Sequence, residues 1–378
     1  VCSAHPERSL GSLVSVHRPL RNSESMAGRS FSVCCCLLVV HAWTSPSSRD
    51  ASEETADLTA AEHAFKEFCV QYHKSYSNAQ EQQQRFETFN ANMRTIEAEN
   101  AKCHTYKLGE NEFADQASEE FVRVRFGVSI RKESSTPWGD LPYLGRDQYH
   151  GATLPSAVNW TARGAVTPVK NQQSCGSCYA FATTGALEGA WQIATGSLVS
   201  MSEQQIVDCT WGGAPGKGND GCQGGQPDWS FAWFMHGRSP GEKNNTSHVV
   251  CTDVSYPYEA RDYDGCREES CTAALPNGAV LGYRDVHRLD EQALAQAVVR
   301  QPVAVAVEAD AFVFQHYKSG VLSQDSCGNR VDHAVLVVGY GVTEHGIAYW
   351  LVKNSWGARW GEAGYLRIQR GVPKEGEC

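Results

Sequence analysis

One stretch constrains this chain more than any other: Pro168-Val-Lys-Asn-Gln172-Gln-Ser-Cys175-Gly-Ser-Cys178-Tyr-Ala-Phe181. A proline and polar turn formers lead into it. An Ala-rich run continues from Cys178 to Ile193, with Phe181, Leu187, Ala190 and Ile193 spaced to share a helical stripe. Cys178 therefore stands where a loop becomes a helix. The open N–H groups and positive dipole of a helix start stabilise a thiolate, which is the nucleophilic form of cysteine. Cys175 lies in the loop before it. A Cys-x-x-Cys pair also suits a structural, zinc or redox site, so the local pattern leaves these readings open.

The chain has 378 residues, 41% hydrophobic and 20% charged, enough for two or three globular domains. A formal charge of −10 argues against nucleic acid or an anionic membrane surface as partner. Fifteen cysteines are many for a reducing compartment and fit a secretory route. Met26, Arg29 and the apolar run Phe31–Val40, with small and polar residues after it to Ser45, read as a signal peptide over 26–45. That run is too short to span a bilayer. Residues 1–25 are then expected to lie outside the natural product.

From Asp50 to about His150 the chain is polar and helix-like. Thr59-Ala-Ala-Glu62 reads as a capping box opening a helix, with Phe65, Phe68 and Tyr72 on one face. A second box, Ser77-Asn-Ala-Gln80, opens a longer helix. Along it Glu81, Arg85, Phe89, Asn92, Ile96 and Asn100 share one stripe, and Glu81 can pair with Arg85. Periodicity alone makes this an amphipathic helix and no more. Gly109-x-Asn111-x-Phe113-x-Asp115 comes next.

Further on, Ser202-Glu-Gln-Gln205 is another capping box, with Met201 and Ile206 placed as a staple. A Gly-rich loop leads to Gly221-Cys222-Gln-Gly224-Gly225. Past Thr272, Val303–Val307, Val335–Val338 and Tyr349–Val352 read as strands. A helical half and then a β-rich half implies two lobes with a cleft between them. His333 heads one strand and Asn354 comes just after another, in Val331-Asp-His333 and Asn354-Ser-Trp356-Gly-Ala-Arg-Trp360.

The cysteine loop, the His and Asn motifs in that order, the interrupted helical stripe and its Gly-x-Asn-x-Phe-x-Asp companion together resemble papain-like cysteine peptidases of the cathepsin L-like branch. Tyr179 stands where that family usually has Trp, and Gln173 where it usually has Gly. The resemblance implies an α+β two-lobe fold: a helical left lobe with a central helix, a β-barrel-like right lobe, and a helical inhibitory prosegment over 46–151. The peptidase domain would be 152–378, beginning near Leu154-Pro155, with the prosegment crossing the cleft at about 127–150. Family members continue past the last cysteine, so the chain is expected to be C-terminally incomplete at Cys378. The resemblance assigns Cys178 as nucleophile, His333 as base, Asn354 as its orienter and Gln172 as an oxyanion donor. Gly224, Gly225, Ala306, Asp332, Trp356 and Trp360 would face substrate.

Six cysteines precede this domain; of the nine within it, eight remain once Cys178 is set aside. The resemblance pairs Cys175 with Cys222, Cys209 with Cys266 and Cys327 with Cys378, leaving Cys251 and Cys271 for each other. Cys251 and the sequons at Asn244 and Asn245 are read as part of a surface insertion, with a third sequon at Asn159. The function implied is that of a cysteine endopeptidase made as a zymogen, in an acidic lysosome- or vacuole-like compartment or outside the cell. Its partners would be polypeptide substrates and its own prosegment; it would be monomeric and need no metal or cofactor. A dipeptidyl exopeptidase, an inactive peptidase-like binding protein and a thiol–disulfide oxidoreductase are the rival readings.

Overall fold

The computed structural model describes residues 51–126, 143–211, 218–236, 248–262, 265–287, 289–323 and 331–371. The expected signal peptide, the sequons at Asn244 and Asn245, and the Cys327–Cys378 pair lie outside these residues.

Two helices come first, α1 (Ala51–Gln71) and α2 (Ala79–Asn100). Thr59 is not the cap of α1: the helix already runs from Ala51, because nothing in Ala51–Leu58 interrupts it. The box at α2 sits one residue later than its pattern suggests. Asn78 is the N-cap and accepts from the Glu81 N–H at 2.9 Å, while Glu81 returns its carboxylate to the Ser77 N–H at 2.7 Å. Arg85 does not pair chiefly with Glu81. It reaches forward to Glu120, at 2.5 and 2.7 Å, and donates to the Asp115 carbonyl. Phe65, Phe68, Tyr72, Phe86 and Phe89 form a small aromatic core between the two helices.

The remaining stripe residues of α2 hold the segment C-terminal to it. The Asn92 amide donates to the Ala114 and Gln116 carbonyls, and Asn100 exchanges two bonds with Leu108. Leu108 ends β1 (Tyr106–Leu108), and α3 (Ser118–Arg125) comes after it. Then β2 (Tyr143–Asp147) and β3 (Val158–Asn159) lead to α4 (Cys178–Thr195).

The helix α4 is not striped as its spacing suggests. It is buried all round from Ala182 to Gly189, while Ile193 is exposed. It passes between the lobes and has no solvent face there. The left lobe adds α5 (Glu203–Cys209), α6 (Pro227–His236), β4 (Val250–Cys251) and β5 (Ala273–Leu275). Ser202 caps α5 by accepting from the Gln205 N–H, but the Gln205 side chain turns away to Val249 and Cys251. Cys251 is fully buried in β4, so at this residue the segment belongs to the lobe core and not to a surface insertion.

The right lobe comprises β6 (Tyr283–Val286), α7 (Glu291–Arg300), β7 (Val303–Val307), α8 (Phe312–Gln315) and β8 (Tyr317–Leu322). Then come β9 (His333–Val342), β10 (Ala348–Lys353) and β11 (Tyr365–Gln369). They form one seven-stranded sheet in the order β1-β8-β11-β10-β9-β3, with β7 also pairing β9. Among the described residues the sheet is open, not a closed barrel. Its first strand, β1, comes from the N-terminal helical segment and pairs antiparallel with β8. That pairing needs Gly320, φ 93°, because a Cβ there would collide with the Thr105 and Tyr106 backbone. A separate two-stranded sheet joins β2 in parallel to β6.

Candidate active site

The loop before Cys178 is built by tethers on both sides. Cys175 is bridged to Cys222, and the Gly176 N–H donates to the Cys222 carbonyl at 2.8 Å. Two further disulfides, Cys209–Cys266 and Cys251–Cys271, staple the left lobe. Cys178 is not disulfide-bonded and is buried at the first residue of α4. Its core cluster includes Ala334, the residue after His333 on β9.

His333 and Asn354 sit at the ends of adjacent strands, β9 and β10, which brings them together. The His333 Nε2 lies 2.8 Å from Asn354 Oδ1. That oxygen also accepts the Ser355 N–H at 2.8 Å, so it is an acceptor and Nε2 carries the hydrogen. In the neutral ring this leaves the lone pair on Nδ1. Trp356 covers the pair, stacked on His333 at 4.8 Å and itself fully buried. Burial pushes the His333 pKa down to about 4, against a smaller upward pull from Asn354.

Gln172 is held from Ser355, whose hydroxyl donates to Gln172 Oε1 at 2.6 Å. Its amide nitrogen donates to two carbonyls at 2.9 Å, those of Cys175 and of Arg125. Arg125 ends α3, so the N-terminal segment presents a backbone carbonyl to this amide. The next residue, Phe126, packs edge-on against His333 at 5.4 Å and Trp356 at 5.9 Å. Phe121 meets Trp356 at 5.0 Å, and Asn111 donates to the Gln315 carbonyl. The helical segment thus lies directly over Gln172, His333 and Trp356.

Gly224 and Gly225 are buried beside the Cys222 bridge. Ala306 pairs with Ala334 across β7 and β9, and Asp332 accepts from the Ala309 N–H. Trp360, like Trp356, is fully buried with the N-terminal segment in place; it donates to the Gln315 carbonyl at 3.2 Å and packs edge-on against Trp356. Beneath the site, a cavity of about 20 Å³ is lined by Lys170, Glu188, Glu203 and Lys353. Lys170 joins the two carboxylates at 3.1 and 2.6 Å, and Thr167 links Lys353 to Glu188. No motif in the sequence signals this charged quartet, because Lys170, Glu188, Glu203 and Lys353 stand far apart in the chain.

Residues 154–378 match the family described as papain family cysteine protease. The chain belongs to the papain family of cysteine proteases. Residues 65–121 match the cathepsin propeptide inhibitor domain, so the N-terminal segment is a family prosegment and the protein a proenzyme. The germination-specific cysteine protease 1 of Arabidopsis thaliana is 41% identical over 308 residues, 79% of this chain and 75% of that one. The cysteine endopeptidase RepA of Oryza sativa subsp. japonica is 42% identical over 299 residues, 78% and 74%. Among solved structures, the recombinant stem bromelain precursor superposes with a TM-score of 0.70 at 35% identity, covering 83% of this chain and 93% of that one. The digestive procathepsin L 3 of Tenebrio molitor larval midgut gives 0.69 at 35% identity, covering 82% and 94%. These proenzyme neighbours share the two-lobe α+β fold and its preceding helices.

Proposed function

We propose that this papain-family protease is an endopeptidase acting through Cys178, His333, Asn354 and Gln172. The observation that carries it is the Nε2–Oδ1 bond of His333 to Asn354, sealed under Trp356 beside the start of α4. It fixes the tautomer whose Nδ1 takes the Cys178 proton. The thiolate then attacks the peptide carbonyl and expels the amine, protonated by His333, to leave an acyl-enzyme. Water releases the acid by the same base. The Gln172 amide, placed to donate to a carbonyl, stabilises the oxyanion; one such donor contributes about 2.7–4 kcal/mol. Gly224 and Gly225 let substrate backbone lie close, with Trp356 bordering the leaving-group side.

The prosegment is cut near 150–154, where residues 151–153 are exposed, freeing a monomeric peptidase domain at 152–378. The disulfides fit a secretory route ending in an acidic or extracellular compartment. Endopeptidase action is favoured over dipeptide removal by the propeptide match and by the relative named an endopeptidase. The test is a peptide blocked at both ends and quenched internally. Internal cleavage, abolished by iodoacetamide with the label on Cys178, is the expected result. Activity only on peptides with a free amino end would overturn the endopeptidase reading.

A further inference from the structure

Tyr179 is fully buried one residue after Cys178 and departs from the family's usual Trp. Its hydroxyl donates to the Gly221 carbonyl at 3.0 Å. Among the described residues that carbonyl has one further donor, the Gly224 N–H, at a long 3.5 Å. Gly221 itself has φ 54°, and a Cβ there would strike the Asp262 carboxylate. Asp262 in turn accepts from the Cys222 N–H at 2.6 Å and the Gln223 amide at 2.8 Å. The turn closes with the Asp220 N–H on the Gly224 carbonyl at 2.7 Å. The Tyr179 phenol thus grips, from inside, the turn whose exit is Gly224-Gly225.

We infer that Tyr179 is a positioning residue for substrate recognition: its hydroxyl fixes the Gly221–Gly225 turn relative to the nucleophile helix, and so sets how well residues preceding the scissile bond are bound. This rests on the reading that Gly224 and Gly225 face substrate. Removing the hydroxyl leaves a buried carbonyl with one long, weak bond, and such a group moves toward a better partner. The turn would shift at Gly224-Gly225 while Cys178, His333 and Asn354 stay in place. Binding contacts made equally in ground and transition states would weaken, which raises KM and leaves kcat alone.

The experiment compares wild type and Tyr179→Phe on two amide substrates, one with a single residue before the scissile bond and one with three. For the long substrate, Tyr179→Phe is expected to raise KM by about 5-fold or more at unchanged kcat, the scale of a lost hydrogen bond. The short substrate and the rate of Cys178 alkylation by iodoacetamide should not change. A general loss in both substrates and in alkylation would mean a structural role only and overturn the inference. If wild type gains nothing from the longer substrate, the reading of the glycine pair fails. If wild type gains and Tyr179→Phe gains equally, the role of Tyr179 fails. Hydrogen exchange of residues 220–226 in the Cys178→Ser proenzyme gives a readout that needs no activity. Faster exchange with Tyr179→Phe is expected, and an unchanged rate counts against the inference.

Discussion

A single oxygen, Asn354 Oδ1, serves both the Ser355 N–H and the imidazole of His333, so in the proposed mechanism Asn354 orients without exchanging bonds. Replacing nucleophile or base in such a unit costs on the order of 10⁶-fold in kcat, and replacing the orienter about 10- to 100-fold less. Asn354→Ala is therefore expected to retain far more activity than Cys178→Ala or His333→Ala, and steady-state kinetics of the three would reveal equal losses if the roles are wrong. Gln173 is a matter of backbone strain instead. Its family-unusual side chain sits at φ 54°, a conformation that costs a non-glycine residue about 1–2 kcal/mol. The Asn171 side chain, accepting the Gln173 N–H at 2.9 Å, helps hold it there. Gly removes that cost but loses more chain entropy on folding, so Gln173→Gly should stabilise the fold by about 0.5–1 kcal/mol. A rise in the unfolding midpoint of Cys178→Ser proenzyme is the check. A fall would mean that the side chain contributes something these contacts do not show.

The elements nearest the chemistry were legible because each carries its own local signal. The loop-to-helix switch at Cys178, the strand headed by His333 and the strand that Asn354 follows need only turn formers and alternation. Other features depended on distant residues. Arg85 chose Glu120 over its helical neighbour Glu81, because α3 folds back onto α2 and offers a bidentate carboxylate. Strand β1 is three residues long and exists because β8 has a glycine where it must approach. The helix α4 lost its stripe because both lobes cover it. Phe121 shows how α3 docks: it is fully buried against Phe113, Phe126 and Trp356. Truncating such a ring costs about 3–5 kcal/mol. Phe121→Ala should let the proenzyme convert faster near neutral pH. The converted enzyme should match wild type in kcat/KM, since the residue is discarded with the prosegment. Conversion at the wild-type rate would show that α3 does not hold latency.

At the scale of the whole molecule, the two lobes meet over α4 and the prosegment bridges them, by β1 on the right-lobe sheet and by Arg125 and Phe126 over the site. This arrangement couples docking to pH through His333. Enclosed by Phe126 and Trp356, its imidazole has a pKa of about 4, below the ordinary 6.5 of a solvated imidazole, and release of Phe126 removes part of that burial. A depressed value means that docking keeps its full stability above about 6.5 and loses it progressively as pH falls toward 4, because the open form takes up a proton the closed form refuses. Glu81, held below the ordinary range first by the Ser77 N–H and less by Arg85, adds a loss only below about 4.5. Glu110 acts in the opposite sense, since burial raises its pKa and falling pH relieves it. The histidine window is the widest, so the proenzyme should be latent near pH 7 and convert itself between about pH 6 and 4. The check is to incubate proenzyme across that range, track its size on a gel, and carry Cys178→Ser in parallel. Phe126→Ala, which uncovers the ring and lets it protonate in the closed form, should flatten the pH dependence of conversion across this window. Conversion as fast at pH 7 as at pH 4, or conversion of pure Cys178→Ser protein, would show that acid does not release the prosegment by this route. A Phe126→Ala profile as steep as the wild-type one would rule out His333 as the trigger and leave the carboxylates to explain the acid dependence.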